Sequence, residues 1–209
     1  VVGLSVDIEE PYPDRPESGT IVTNAELAPM ASREFESGPP QEDGVELARV
    51  VDRGIRESEA VDLEELCIVE GEKVYTLFID VHVLNDDGNL IDASALGAVA
   101  ALQTGYLPPY DEEEDTLDRD DESQDIPLEK EPVTVTGRKI EDSLMWDTTG
   151  EEEEALDARM TVTLTEDDNV VAMQKGGMQP YSQEEIKDTM QEAKNQTEKL
   201  RELLRDAEE

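Results

Sequence analysis

An α+β fold is what this sequence predicts. Segments with a two-residue apolar period and segments with a helical period both occur, they follow one another without regular strand–helix alternation, and the apolar residues are gathered in them rather than scattered. Residues Val1 to Ile8 alternate apolar and polar, the pattern of a half-buried strand, until Pro11, Pro13 and Pro16 interrupt it. A short strand, TIVTNAEL, starts at Thr20, and Pro29 to Asp43 reads as a Gly-, Pro- and Ser-rich loop. From about Val45 to Ser58 a helix is predicted, with Leu47, Ala48, Val51 and Ile55 on one face and Arg49, Arg53 and Arg56 on the opposite one.

Asp62 to Val69 forms a second short element. The strand KVYTLFIDVHVL, Lys73 to Leu84, is apolar enough to predict cover on both faces, and DDGN at Asp86 to Asn89 ends it in a turn. Asp92 is read as the cap of a helix beginning ASALGAVAAL and stopping near Gly105. Asp111 to Asp125 holds ten acidic residues and only Arg119 as a base, and is read as an exposed or disordered loop. Strands follow at VTVTGRKI, MTVTLT and VVAMQK, the last two joined as a hairpin through EDDN. A final helix from about Gln183 to Arg205 carries the stripe Ile186, Met190, Ala193, Thr197, Leu200 and Leu204. The organisation predicted is one domain over 1–209, interrupted by an acidic loop insert at 108–131 and closed by a C-terminal helix at 183–209.

Composition narrows the function classes. Aspartate and glutamate total 55 against 17 lysines and arginines, a formal charge of −38. Two readings compete, a disordered acidic chain and a folded protein with an acidic surface. The periodic apolar segments favour the second, and acid spread along the whole chain with only seven lysines points to a salt-rich cytosol, where screening suppresses self-repulsion. One cysteine, Cys67, makes an intrachain disulfide impossible, and with one histidine, His82, no Cys- or His-rich metal site can form. No cofactor, metal or membrane span is expected: P-loop, Rossmann and EF-hand motifs are missing, and so is an apolar run of membrane length.

Four blocks carry more specific information: ELARVVDRGIRES (Glu46 to Ser58), DGNLIDASALGAVAAL (Asp87 to Leu102), ALDARMTVTLTEDD (Ala155 to Asp168) and AMQKGG (Ala172 to Gly177). Together with EPYPDRPESGTIVTNAEL and EFESGPP, they resemble the RNase PH-type ring subunits of the archaeal exosome, in the class that lacks catalysis. The resemblance implies an RNase PH-like fold built of β-α-β-β units, related to domain 2 of ribosomal protein S5. It also implies N-terminal strands upstream of Val1, so that a truncated chain is expected. The partners it implies are a catalytic RNase PH-type subunit in an alternating 3+3 hexamer, RNA-binding cap proteins and single-stranded RNA. The ring would lie in the cytoplasm and degrade RNA from the 3′ end with inorganic phosphate.

Catalytic members of the family carry a Gly-Gly-Thr/Ser-Arg segment that binds the attacking phosphate, since a dianion suits a guanidinium fork, a hydroxyl and helix N-terminal amides. The matching residues here are Gly88, Asn89, Leu90 and Ile91. Leu90 and Ile91 replace the hydroxyl and the arginine, and neither can donate to phosphate, so no catalytic residue is expected in this chain. Of the two aspartates that relatives hold near the scissile phosphate, Asp157 matches the second as a vestige; the first falls near Glu153 or Glu154, in a run that also reads as a solvated helical turn. Arg49, Arg53 and Arg56 correspond to basic positions lining the family's RNA channel. Without the resemblance they read equally as a solvated face paired with Glu46, Asp52 or Glu57. Lys175 is read as a solvated strand end, with an interface or RNA-contacting residue as the alternative, and His82 as a satisfied structural histidine. Three functions are therefore weighed: a structural, RNA-positioning subunit that completes a neighbour's active site, a phosphate-dependent 3′–5′ exoribonuclease active in its own right, and an acidic interaction domain unrelated to RNA.

Overall fold

The computed structural model describes residues 1–141 and 143–207. Their fold is α+β, two four-stranded sheets with helices packed on and between them. The first sheet is built on β1 (Val2–Glu9), β2 (Thr20–Leu27), β3 (Cys67–Val69) and β4 (Lys73–Val83), with α1 (Glu42–Glu57) inserted before β3. Strand β4 is its centre: β1 pairs with it antiparallel, Val6 opposite Leu77, and β2 pairs parallel, Ile21 opposite the same Leu77. After α2 (Leu90–Thr104) come two short strands, β5 (Tyr110–Asp111) and β6 (Thr116–Leu117), which pair with each other. The second sheet comprises β7 (Val133–Ile140), β8 (Ser143–Met145), β9 (Ala158–Leu164) and β10 (Val170–Gly177) in the order β10-β9-β7-β8, all antiparallel; α3 (Gly150–Glu154) precedes β9, and α4 (Gln183–Ala207) ends the chain.

Each sheet has its own apolar cluster. On the first, Val6, Ile21, Leu77 and Ile79 meet Leu47, Val51 and Ile55 of α1 and Ala98 and Leu102 of α2. On the second, Val133, Val135, Val162 and Leu164 meet Ala193 and Leu204 of α4 and Val99 of α2. Helix α1 lies between the sheets. Gly54 makes this possible: a Cβ there would stand 3.3 Å from both Thr134 Oγ1 and Thr163 Oγ1, so a larger residue would push helix and sheet apart. The two threonines it meets are joined across the strands, Thr134 to Thr163 at 2.8 Å, as are Thr136 and Thr161 beyond them at 3.0 Å, which satisfies buried hydroxyls that would otherwise cost stability.

Several sequence expectations need correction. Helix α2 starts at Leu90, with Asn89 as its N-cap residue in the left-handed region (φ 53°), so Asp92 lies inside the first turn and is not the cap. Its carboxylate is engaged elsewhere, by β7. Strand β4 is not covered on both faces throughout, since Phe78, Asp80 and His82 are half-buried or exposed, and His82 reaches Glu26 at 3.1 Å near the rim. The acidic segment is exposed over much of its length but tied down. Lys73 donates to Tyr110 and Asp115, Tyr110 donates to Asp115 at 2.7 Å, Arg119 donates to the Val6 carbonyl at 3.0 Å, and Leu117 is buried. Charge density kept most of this segment exposed, yet it forms a β5–β6 ribbon and sends Leu117 into the first-sheet core.

Candidate nucleic-acid interface and anion corner

Helix α1 presents its three arginines to three different surroundings. Arg49 is exposed, with no polar contact among the described residues. Arg53, one turn on, is half-buried and leans toward the second sheet, where Nη1 donates to Gln174 Oε1 at 3.4 Å. Arg56 turns toward the first sheet, donating to Asp52 at 2.9 Å and to the Ile21 carbonyl at 3.3 Å, and lines an open cleft of about 550 Å³ with Tyr12, Arg15, Glu59 and Lys130. The face predicted as one arginine stripe therefore divides. Arg49 and Arg53 carry charge with no carboxylate at hydrogen-bond distance among the described residues, whereas Arg56 is neutralised by a carboxylate four residues before it.

The turn before α2 is where the resemblance places the phosphate site of catalytic members. Ile91 is buried in the core of the first sheet and Leu90, half-buried, packs against the same cluster, so neither offers a donor to the corner. The corner is built from other residues. Gly88 adopts φ +85° and abuts the Thr148–Gly150 backbone so closely that a Cβ would lie 2.5 Å from the Thr148 carbonyl oxygen. Arg138, buried to 2 % exposure, donates to Asn89 Oδ1 at 2.9 Å and pairs with Glu153 Oε1 at 2.7 Å. The same Glu153 oxygen accepts from the Asn89 backbone N–H at 2.9 Å and from the Thr148 hydroxyl at 3.2 Å. A guanidinium, a hydroxyl and a backbone amide at a helix N-terminus make a set that holds an oxyanion, and here the anion is the chain's own carboxylate.

The Glu151 to Glu154 run is the helical turn expected of it, with no buried residue, and Glu153 alone is drawn into the corner. Thr149 and Glu152 form a capping box that fixes the short helix α3, and the turn it sets carries Glu153 inward. Arg138 was missed by sequence reasoning. The signal for it was present: VTVTGRKI alternates, and Arg138 is in phase with the inward-facing Thr134 and Thr136.

Asp157, the vestigial aspartate, accepts the Glu141 backbone N–H at 2.8 Å, while its carbonyl accepts from Met178 and Gln179. Its carboxylate thus braces the β7–β8 turn, in which Glu141 sits at φ 53°. Asp92 is buried beside the corner and accepts from Thr136 N at 2.8 Å and Thr136 Oγ1 at 2.6 Å. Burial pushes its carboxyl up to about 6, against the opposing pull of the Thr136 bonds and of Arg138. Among the described residues no group of three or more His, Cys, Asp or Glu side chains is arranged to hold a metal, and no helix is long and apolar enough to cross a membrane.

Comparison with known proteins matches this architecture. The family model "3′ exoribonuclease family, domain 1" matches residues 1–108, and "3′ exoribonuclease family, domain 2" matches residues 130–196. The chain is 46 % identical over 209 residues to the exosome complex component Rrp42 of Thermococcus gammatolerans, an alignment spanning 99 % of this chain and 77 % of that protein. It is 47 % identical over 208 residues to the Rrp42 component of Archaeoglobus fulgidus, spanning 99 % and 77 %. Among solved structures, a chain of the Archaeoglobus fulgidus exosome with RNA bound to the active site superposes with a TM-score of 0.89 at 48 % identity, covering 96 % of this chain and 77 % of that one. A chain of an archaeal exosome core gives 0.83 at 43 % identity, covering 98 % and 76 %. Rice Rrp46, at 16 % identity and a TM-score of 0.63, shares the fold.

Proposed function

The chain belongs to the 3′ exoribonuclease family of RNase PH type, and from that premise we propose that it is a non-catalytic ring subunit of an archaeal exosome. In this reading it alternates with a catalytic RNase PH-type subunit in a hexamer, structures that partner's active site and helps to bind the RNA that the ring degrades from its 3′ end. RNA-binding cap proteins complete the assembly, which works in the cytoplasm of a salt-adapted cell. The similarity to Rrp42 components of exosomes, and to a chain of an exosome structure with RNA bound to the active site, supports the partner and the substrate class.

The observation that carries the non-catalytic role is the filled anion corner. Phosphorolysis needs an inorganic phosphate positioned to attack the terminal phosphodiester. Here Glu153 takes the amide, hydroxyl and guanidinium that an oxyanion would need, and the residues at the family's donor positions, Leu90 and Ile91, are apolar and pack on the first-sheet core. A phosphate dianion would meet a fixed carboxylate there. What remains is positioning. Arg49 and Arg53 offer guanidinium groups to the phosphates of a strand held in a shared channel, and the rigid two-sheet scaffold holds them in place for the neighbour's chemistry. Asp157, engaged as a turn brace, takes no chemical step in this reading.

The test is to incubate RNA and inorganic phosphate with the purified chain, with its catalytic partner, and with the reconstituted ring. The expected outcome is release of nucleoside diphosphates by the ring and none by this chain alone. Release by this chain alone would establish it as an exoribonuclease in its own right. Loss of the partner's activity gain on adding this chain would remove the positioning role.

A further inference from the structure

In a chain of −38 formal charge, a basic side chain has many nearby carboxylates to pair with, and Arg56, Lys73, Lys130, Arg138 and Arg159 do so. Arg53 does not. Its polar contact is the neutral amide of Gln174 on β10, although Glu46 stands two helical turns before it on the same side of α1. The reason lies in how the Glu46 carboxylate is used. Arg159 of β9 reaches it at 2.5 Å, and Gln174 Nε2 donates to it at 2.7 Å. An amide is planar, so committing the Gln174 nitrogen to Glu46 turns its oxygen the other way, toward Arg53.

The backbone provides the lane for this relay. Gly176 is opposite Arg159 in the β9–β10 ladder, and a Cβ at 176 would stand 2.7 Å from Arg159 Nε and 3.0 Å from its Cγ. Glycine at 176 therefore lets the arginine lie across β10 and discharge Glu46. The AMQKGG block thus supplies two members of one arrangement, the amide and the gap.

We propose that Gln174 is a positioning residue for Arg53. It is a neutral spacer that, with Arg159, keeps Glu46 from quenching the Arg53 guanidinium and aims that guanidinium at an RNA phosphate. At 3.4 Å its bond to Arg53 is long, so Gln174 contributes direction and neutrality rather than binding strength. The inference rests on the reading that Arg53 contacts RNA.

The experiment uses rings reconstituted with the catalytic partner and single-stranded RNA, measuring affinity as a function of salt. Arg53→Ala should reduce the slope of log affinity against log salt by about 0.7, one single-strand phosphate contact, and weaken binding about fivefold near roughly 0.1 M salt. Gln174→Glu should give the same two changes with Arg53 still present, because the new carboxylate pairs with it. Gln174→Met, neutral and of similar length, should weaken binding while leaving the slope intact, which a purely structural role for residue 174 would not separate. If Q174E rings fail to assemble, the double variant Glu46→Gln, Gln174→Glu keeps one carboxylate and one amide, exchanged, and carries the same expected loss of slope. An unchanged slope in the assembled Q174E ring, or in the ring of the double variant, with R53A reducing it, overturns the role of Gln174 alone. An unchanged slope in R53A overturns the RNA reading of Arg53 beneath it.

Discussion

The anion corner depends on one pair, Arg138 and Glu153, fifteen residues apart in sequence and joined at 2.7 Å. A charge buried to the extent of Arg138 is tolerated because it is paired and hydrogen-bonded, and removing the partner leaves it uncompensated. Glu153→Gln should therefore destabilise the fold by about 1–3 kcal/mol, a range that discounts for the third of Glu153 still open to solvent. Combining it with Arg138→Met should cost less than the two single changes added together. Urea unfolding of the four proteins measures the coupling, and additivity within about 0.5 kcal/mol would mean that the two charges do not depend on each other. Neither member was legible as a pair. The resemblance pointed to Glu153 or Glu154, and only the tertiary turn set by Thr149 singles out Glu153. What the residues did disclose was negative, that Leu90 and Ile91 cannot bind phosphate.

Asp92 supplies a second test at this scale, by pH. Its folded-state carboxyl titrates at about 6 and its ordinary value is 3.8. Between those values the native state holds a proton that the unfolded chain has lost, so Asp92 lowers stability as pH rises through that window and has no further effect above it. Glu185, held down to about 2 by Lys139 and by Ser182, acts the opposite way and lower, losing its contribution as pH falls from 4.5 toward 2. From about pH 4.5 to 6 the Asp92 effect is the one of the two still changing. Asp92→Asn should accordingly flatten the decline of the unfolding midpoint across that interval relative to the unmodified protein; equal slopes in the two would mean that Asp92 is not the titrating group.

At the scale of elements, strand and helix identities followed from periodicity, and the places where it failed are informative. The hairpin of β9 and β10 is closed by Thr165 to Asn169, as its EDDN turn predicts, but its stability also draws on a residue far away. Arg201 of α4, buried to 5 % exposure, donates to the carbonyls of Leu164 and Thr165 at 2.8 and 2.7 Å, and to that of Glu131 at 3.4 Å. The apolar stripe of α4 was readable at 3.6 residues per turn, yet Thr189 and Arg201 share the buried face, and a charged residue on it gives no periodic signal. Arg201→Ala should leave these carbonyls unpaired and cost about 3 kcal/mol in urea unfolding, without loss of helix. A loss under about 0.5 kcal/mol would show the three bonds to be replaceable by water. The acidic ribbon is the converse case. Its composition read as loop, and three contacts, Lys73 with Tyr110, Lys73 with Asp115 and Arg119 with the Val6 carbonyl, fasten it to the first sheet. Each joins residues at least 37 positions apart, beyond the reach of any local pattern.

For the molecule as a whole the governing quantity is charge. Many of the 55 carboxylates are exposed, and they repel one another in the compact state more than in the expanded one. The ion pairs within the described residues offset this only in part, because several join two exposed groups, where a pair is worth about 1 kcal/mol or less. Salt is then the remaining stabiliser. The Debye length shortens from roughly 30 Å at 0.01 M, about the size of the protein, to about 3 Å at 1 M, less than the spacing of neighbouring surface charges. Long-range repulsion is thereby removed, while Arg138–Glu153, with its guanidinium buried, is screened less. The unfolding midpoint should rise steeply with KCl from roughly 0.1 M to about 2 M, and it should rise with NaCl alike, since the effect is one of ionic strength. Exclusion of strongly hydrated salts from the surface would raise the midpoint by another route and would favour sulfate over chloride at equal ionic strength. A midpoint flat in KCl would overturn the salt-adapted reading, and a rise confined to sulfate would assign the stabilisation to burial rather than to charge.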